Sequence, residues 1–423
     1  MRTTRIGCGA GFSGDRIEPA EDLLRRGDLA DLVLECLGER TVAQGQRRRL
    51  ADPSLGYETR LHSRFTRLLP LAFRHGVRVI TNMGAANPLA AGRVTRALLD
   101  SLGLGGTVAV VTGDDVLAAV DLDAPAWETG RPLRSHGEIV SANAYLGADA
   151  VLPALGADVV ITGRVADPSL FVAPVADRLG WDLADVPRVA AGTLVGHLLE
   201  CAGQLTGGYF ADPGYQDVPD LDKLGFPYAD VSADGTAGLG KLPGTGGVLS
   251  RATVREQLLY EITDPAAYRT PDVVLDLREV TITDDVRVSG ARGLSRPDEL
   301  KVSVGYRAGS KVEAEISYVG PNAAARGALA AEVVTKRLAG VPLRAEVLGG
   351  DRDCRLRVAA ISHDGALLDR VGDEVESLYT NGPAGGGGVR VHVTEVIGIV
   401  STLIPREALR PAVTLLEAAD AAP

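Results

Sequence analysis

The chain has few cysteines for its length: Cys8, Cys36, Cys201 and Cys354 in 423 residues, widely spaced and with no CxxC pair. That argues against a disulfide framework and reads as free thiols in a reducing compartment. No apolar run approaches the roughly 20 residues that a membrane span needs. The N-terminal stretch lacks the basic-then-apolar order of a signal peptide. The expectation is a soluble cytoplasmic protein. Positive charge is short as well, with 44 Lys and Arg against 55 Asp and Glu, a formal net charge of −11. A broad basic face for nucleic acid or an anionic membrane is therefore not expected. An anionic small molecule needs only a local basic pocket. No internal repeat is present.

What the sequence does have is a large apolar fraction, 45%, enough for a sizeable core and inconsistent with global disorder. In the first half, short apolar strands at 3–7, 31–36, 77–82, 107–112 and 158–162 alternate with helix-like stretches at 20–26, 63–75, 88–102 and 142–155. Alternation of this kind predicts an α/β fold, a mostly parallel sheet with helices on both faces. A Gly- and Pro-rich stretch over 206–247 reads as functional loops, followed by a helix near 251–262. From Asp272 the texture becomes "DVVLDLREVTI", "ELKVSVGY" and "KVEAEISYV", then a helix at 322–338, "CRLRVAAI", another helix, and "GVRVHVTEVIGIV". This predicts a C-terminal α+β unit with antiparallel strands. The expected domains are 1–205 (α/β), 206–270 (junction loops and helix) and 271–423 (α+β). The closing "LLEAADAAP", 415–423, is expected to fray.

"RIGCGAGFSGD" contains Gly9-x-Gly11-x-x-Gly14, the spacing of a dinucleotide loop, with Glu35 at a ribose-contact distance downstream. In that fold the third glycine sits inside the helix. Here Pro19 marks the helix start, five residues after Gly14, so no nicotinamide cofactor is expected. The loop either presents backbone N–H groups to an anion or carbonyl oxygen or is a plain wide turn. Other strands end in polar residues too: Glu35, Asn82, Asp114 with Asp115, and Arg164 with Asp167. Ligands of open α/β sheets bind at the carboxyl ends of strands, so these loops are expected to share one crevice. Asp167 before Pro168, Asn87 before Pro88, and Asp115 also suit helix N-caps. Glu35 follows an apolar strand and caps nothing by pattern, so it should be partnered or functional.

His197, Glu200 and Cys201 in "GHLLEC" share a helix face. They lack zinc spacing. They read as ordinary packing, as a proton-transfer group at His197 or Glu200, or as a Cys–His nucleophile pair. "KLPGTGG", with Lys241, Thr245 and Gly246, reads equally as an anion site before a helix or a surface loop. "NGPAGGGGV" reads as a mobile lid or a close backbone approach to ligand. Arg47–Arg49 reads as a solvated helix end, and Tyr260, Tyr306 and Tyr318 as core.

The stretches "GCGAGFSGDRIEPAEDLL", "TNMGAANPLAA", "ANAYLGAD", "VITGRVADPSL", "GHLLECAGQLTGGYFADPG", "TVREQLLYEITDPAAY" and "NGPAGGGGV" together resemble the acyclic terpene utilisation (Atu-type) family, in order from about Ile6 to Pro405. The resemblance implies a place in metabolism where branched intermediates are carried as coenzyme A thioesters. Many members carry a small extra C-terminal domain; its absence here implies that it is missing or supplied by a small partner protein. On the substrate class that the resemblance implies, the first expectation is a lyase or hydratase acting on an acyl thioester. Glu35, His197, Arg164 and Glu200 are its catalytic candidates, with Gly9, Gly11, Gly14, Asn82, Asp114, Lys241, Thr245 and Gly246 binding substrate. No metal is expected, and no cofactor beyond coenzyme A as part of the substrate. A homo-oligomer is expected. The alternatives are a noncatalytic acyl-binding or assembly subunit and a Cys201-dependent acyltransferase.

Overall fold

The computed structural model describes residues 2–417. The chain divides into two compact units, one of residues 1–129, 140–304 and 401 onward, the other of residues 130–139 and 305–400.

The first unit is built on a sheet whose parallel centre has the order β1 (Thr3–Ala10), β2 (Asp31–Leu34), β3 (Arg78–Thr81), β6 (Val159–Thr162), β4 (Val108–Thr112). β2, β3 and β6 are buried at every residue. That is why their sequences are short apolar runs with no alternation: both faces are covered. α3 (Leu61–His75) packs against both α1 (Glu18–Arg26) and α4 (Pro88–Ser101), and α6 (Ser169–Leu179) packs on α7 (Val186–Leu199), clothing the two faces. β5 (Ile139–Ala144), β7 (Pro227–Ser232) and β8 (Ala237–Lys241) complete the labelled strands; α2 (Glu39–Ala51), the one-turn α5 (Ala148–Val151) and α8 (Arg251–Leu259) complete the labelled helices. β7 and β8 extend the sheet antiparallel beyond β1, and Ala412–Leu416 pairs antiparallel with β4 at the other edge.

Several expectations change. The helix expected at 142–155 begins as the end of β5, because Val116 N–H donates to the Ala142 carbonyl and Ala144 N–H to that of Asp114. Only the short α5 and a turn of tighter helix follow. The glycine-rich 206–247 stretch contains β7 and β8, whose alternating burial marks strands with one covered face. Leu415 and Leu416, expected to fray, lie in the edge strand; residues 418–423 of that stretch lie outside the described residues.

"ELKVSVGY" and "KVEAEISYV" belong to one 21-residue strand, Glu299–Val319, of which 305–319 fall in the second unit. Its sheet has the order Leu343–Gly350, Asp353–Ser362, Glu299–Val319, Gly386–Pro405. Helices Ala323–Arg337 and Gly365–Asn381 pack on Asp353–Ser362. Ile316, Tyr318, Leu356, Val371 and Val375 sit in this core. "NGPAGGGGV" closes the helix at Asn381, turns over 382–385, where the Ala384 carbonyl accepts from Arg326 at 2.7 Å, and enters a strand at Gly386. Among the described residues, no helix is long and apolar enough to cross a membrane.

Candidate functional site

A cleft of about 550 Å³ opens at the carboxyl ends of β1 and β2. The loop after β1 supplies Gly11 and Asp15; the loop after β2 and the first turn of α2 supply Glu35 through Thr41. Asp167 comes from the segment after β6, Glu200 and Cys201 from the end of α7, and Tyr209 and Tyr260 from flanking segments.

Glu35 emerges from the buried strand β2 and is itself 8% exposed. Its Oε1 accepts from Leu37 N–H at 2.7 Å and from Asn82 Nδ2 at 2.8 Å, while Asn82 Oδ1 accepts from Cys36 N–H at 2.7 Å. Asn82 thus pins both the carboxyl and the backbone beside it. Burial, with Asp167 nearby, pushes the Glu35 carboxyl up to about 8 against the ordinary 4.5. Among the described residues, no Lys, Arg or His lies within ion-pair distance of Glu35, so a direct salt bridge to Arg40 or Arg164 is not what holds it.

Glu200 caps the end of α7. Its Oε1 lies 3.0 Å from His197 Nδ1, and His197 Nε2 lies 3.1 Å from the Leu258 carbonyl. A carbonyl only accepts, so Nε2 carries hydrogen. One further proton must then lie between Nδ1 and Glu200, on either partner. Burial raises Glu200 to about 7, with His197 pulling the other way. Burial alone would lower His197, but Glu200 raises it above its usual range. Glu200 Oε2 is buried with no hydrogen-bond partner, and the residue lines the cleft. An unpartnered buried carboxyl oxygen is costly unless something else completes it.

Glu39, at the start of α2, behaves oppositely. Burial would raise it, but the Tyr145 hydroxyl donates to its Oε1 and Lys301 Nζ sits 3.1 Å away, and together they bring it to about 2. Arg164 is fully buried. Its guanidinium is spent on the Val165 and Leu37 carbonyls and on Asp167, and stacks 4.3 Å over the Tyr145 ring. Its backbone N–H donates to Asp114 Oδ2 at 2.8 Å. Arg164 and Asp114 therefore brace the cleft wall from behind and do not line it. Asp167 is used in this ion pair, not as the cap expected for α6, which shows no side-chain cap. Asp115 caps no helix either; it forms an isolated bridge to Asn143. Asn87 caps α4 as expected.

The glycines divide. Gly9 is inside β1, packed on Ala20 and Leu32. A Cβ at Gly11 would lie 2.3 Å from the Cys201 carbonyl carbon, so the glycine allows two backbones to meet at the cleft. The N–H groups of Gly11 and Phe12 both donate to Asp15 Oδ2, at 2.8 and 3.1 Å. Asp15 occupies the donors that the sequence offered to a ligand. Gly14 lies outside the lining and faces the Phe12 ring. Lys241 Nζ donates to the Thr245 carbonyl at 2.8 Å, and a Cβ at Gly246 would sit 1.9 Å from the Asp220 carbonyl. That loop staples itself and stands apart from the cleft lining.

Cys201 lines the cleft, but burial and neighbouring Glu200 push its thiol well above the ordinary value. A thiol held protonated is a poor nucleophile. Tyr260, read as core, lines the cleft beside Tyr209, ring centroids 6.5 Å apart. Tyr209 sits at φ +61 with 89% of its surface exposed, a backbone region that aromatic residues rarely adopt. Glu39, Tyr145 and Lys301 were missed because their partners are distant in sequence; Tyr145 and Lys301 reach Glu39 across 106 and 262 positions. Asp15 was missed although its partners, Gly11 and Phe12, are four and three residues away. Among the described residues, no group of three or more His, Cys, Asp or Glu is arranged to hold a metal ion.

The family described as acyclic terpene utilisation family protein AtuA matches the chain over residues 4–415. No curated protein matches it.

Proposed function

Because the chain belongs to the acyclic terpene utilisation family, we propose that it is an enzyme acting on a branched acyl thioester, a lyase or hydratase that moves protons next to the thioester carbonyl. One observation carries this reading: two buried carboxyls on one cleft, Glu35 and Glu200, are raised to about 8 and about 7. Carboxyls in that range hold a proton at neutral pH and still release it, which is what general acid–base catalysis requires. Glu35 is the acid. Glu200 is the second proton carrier. His197 fixes its Oε1, and its buried Oε2 has no protein partner. Asn82 and Arg164 are positioning residues that hold Glu35 and Asp167 in place. Coenzyme A enters as part of the substrate. Exposed Arg40, on the cleft lining, is placed to meet its phosphates.

The test is incubation with a panel of branched acyl-CoA thioesters in D₂O, read by mass spectrometry. Water added or removed, or a bond cleaved, with deuterium appearing at the carbon next to the carbonyl, supports the proposal. A panel returned unchanged and unlabelled removes it.

A further inference from the structure

Three aromatic rings from separate segments stand on this cleft. Phe12, in the loop after β1, is 57% exposed; Tyr209, in the loop beyond α7, is 89% exposed; Tyr260 follows α8. Tyr209 and Tyr260 meet edge to face, their ring planes 78° apart. Gly14 is bare beside Phe12: a Cβ there would lie 2.2 Å from the ring. Leu37 and Phe226, also on the lining, are buried and have little surface left to offer a ligand. Folding does not account for Tyr209. So little of its ring is covered that burial contributes almost nothing. Its backbone is held at φ +61, where a bulky side chain is strained and glycine is not. Glycine occupies both preceding positions, 207 and 208, yet 209 carries a ring. Glu261, beside Tyr260 on the same lining, is a second non-glycine residue in the left-handed region, at φ +59. Backbone strain kept at a ligand cleft points to a role there. The lining runs from Glu200 and Cys201 through Gly203, Gln204 and Gly208 to Tyr209. A thioester whose reacting carbons lie at Glu200 therefore has its acyl chain nearer these rings than its nucleotide, which lies a whole pantetheine arm away.

We propose that Phe12, Tyr209 and Tyr260 form the seat for the hydrocarbon part of the acyl group, and that Tyr209 sets how much the length of that chain contributes to binding. The identity of the ligand rests on the proposed function; the exposed aromatic wall does not. Aromatic faces cover apolar carbon without directional demands. Each methylene laid on them leaves water and tightens binding by up to about fourfold. A ring already exposed and already strained loses nothing further by receiving a ligand.

S-alkyl coenzyme A thioethers, from propyl to octyl, test this, because they carry the chain but have no carbonyl and cannot react. Their binding to the intact chain is measured by calorimetry, beside coenzyme A itself, for wild type, Tyr209→Gly and Tyr209→Phe. Glycine accepts φ +61 freely, so Tyr209→Gly removes the ring without imposing strain and should melt close to wild type. Wild type should gain about twofold to fourfold in affinity per added methylene. Tyr209→Gly should flatten that gain while binding coenzyme A as wild type does, and Tyr209→Phe should keep it. An equal gain per methylene in Tyr209→Gly would overturn the inference. So would a flat series or no binding at millimolar concentration in wild type, or an equal loss for coenzyme A and every thioether, which would put the ring on the nucleotide. A Tyr209→Gly protein that melts far below wild type would make the ring structural and overturn it as well. The proposed reaction fails separately: a chain-length series that depends on Tyr209, with no thioester labelled in D₂O, keeps the seat and loses the lyase or hydratase.

Discussion

Glu35→Gln separates a catalytic carboxyl from a structural one, because the two roles move stability and activity in opposite directions. The carboxyl accepts from Leu37 N–H and Asn82 through Oε1 alone, and a glutamine amide oxygen keeps both bonds. What the substitution removes is a titrating group held at about 8, where an unfolded glutamate lies near 4.5. A carboxyl raised in the folded state contributes its full stability below the unfolded value. That stability is lost as pH rises from 4.5 toward 8, because only the unfolded chain ionises there. Each pH unit is worth about 1.4 kcal/mol, so at pH 7 the protonated Glu35 costs on the order of 3 kcal/mol. Glutamine does not carry that cost. The variant should therefore unfold at higher denaturant concentration than wild type at pH 7, with a gap that closes toward pH 4. Its turnover should fall by ~10²–10⁴-fold, the usual contribution of one acid–base group. Paired chemical-denaturation and turnover curves over pH 4–8 test this. A less stable variant with near-normal activity per folded molecule would refute the reasoning and make Glu35 a structural group.

Three further outcomes follow from the same geometry. Gly11→Ala drives a methyl into the Cys201 backbone, which cannot rotate away; a loss of about 1–3 kcal/mol in denaturation should accompany collapsed turnover, and a wild-type midpoint would show that the two backbones stand further apart. His197→Gln removes the partner that pulls Glu200 down, so the midpoint of the pH–rate profile belonging to Glu200 should move upward from about 7; an unmoved profile would dissociate the pair. Cys201→Ala should keep most activity, and wild type should resist iodoacetamide at neutral pH, since its thiol is held protonated; rapid alkylation with loss of turnover would restore the acyltransferase reading.

The parts of this fold legible in the sequence are those decided locally. β2, β3 and β6 announce themselves because strands covered on both faces must be apolar throughout, and Pro19 marked the start of α1 to within a residue. β5 was hidden because its small residues suit a helix, and only pairing with segments distant in sequence makes it extended. The site was half legible. Glu35 stands out as a carboxylate closing an apolar strand, and His197 with Glu200 as a one-face pair. The glycine pattern misled, because Gly11 answers to a backbone 190 positions away and Asp15 fills the donors it exposes. No local pattern reports that Glu39 will be tied to Tyr145 and Lys301.

The most direct measurement of the central claim is deuterium exchange from D₂O into the carbon beside the thioester carbonyl of a branched acyl-CoA. Wild type and Glu200→Gln are followed by mass spectrometry at pH 7, before any net product accumulates. The account predicts exchange catalysed by wild type and reduced by at least about a hundredfold in Glu200→Gln. Exchange that is absent from wild type across the thioester panel, or equally fast in the variant, would contradict it.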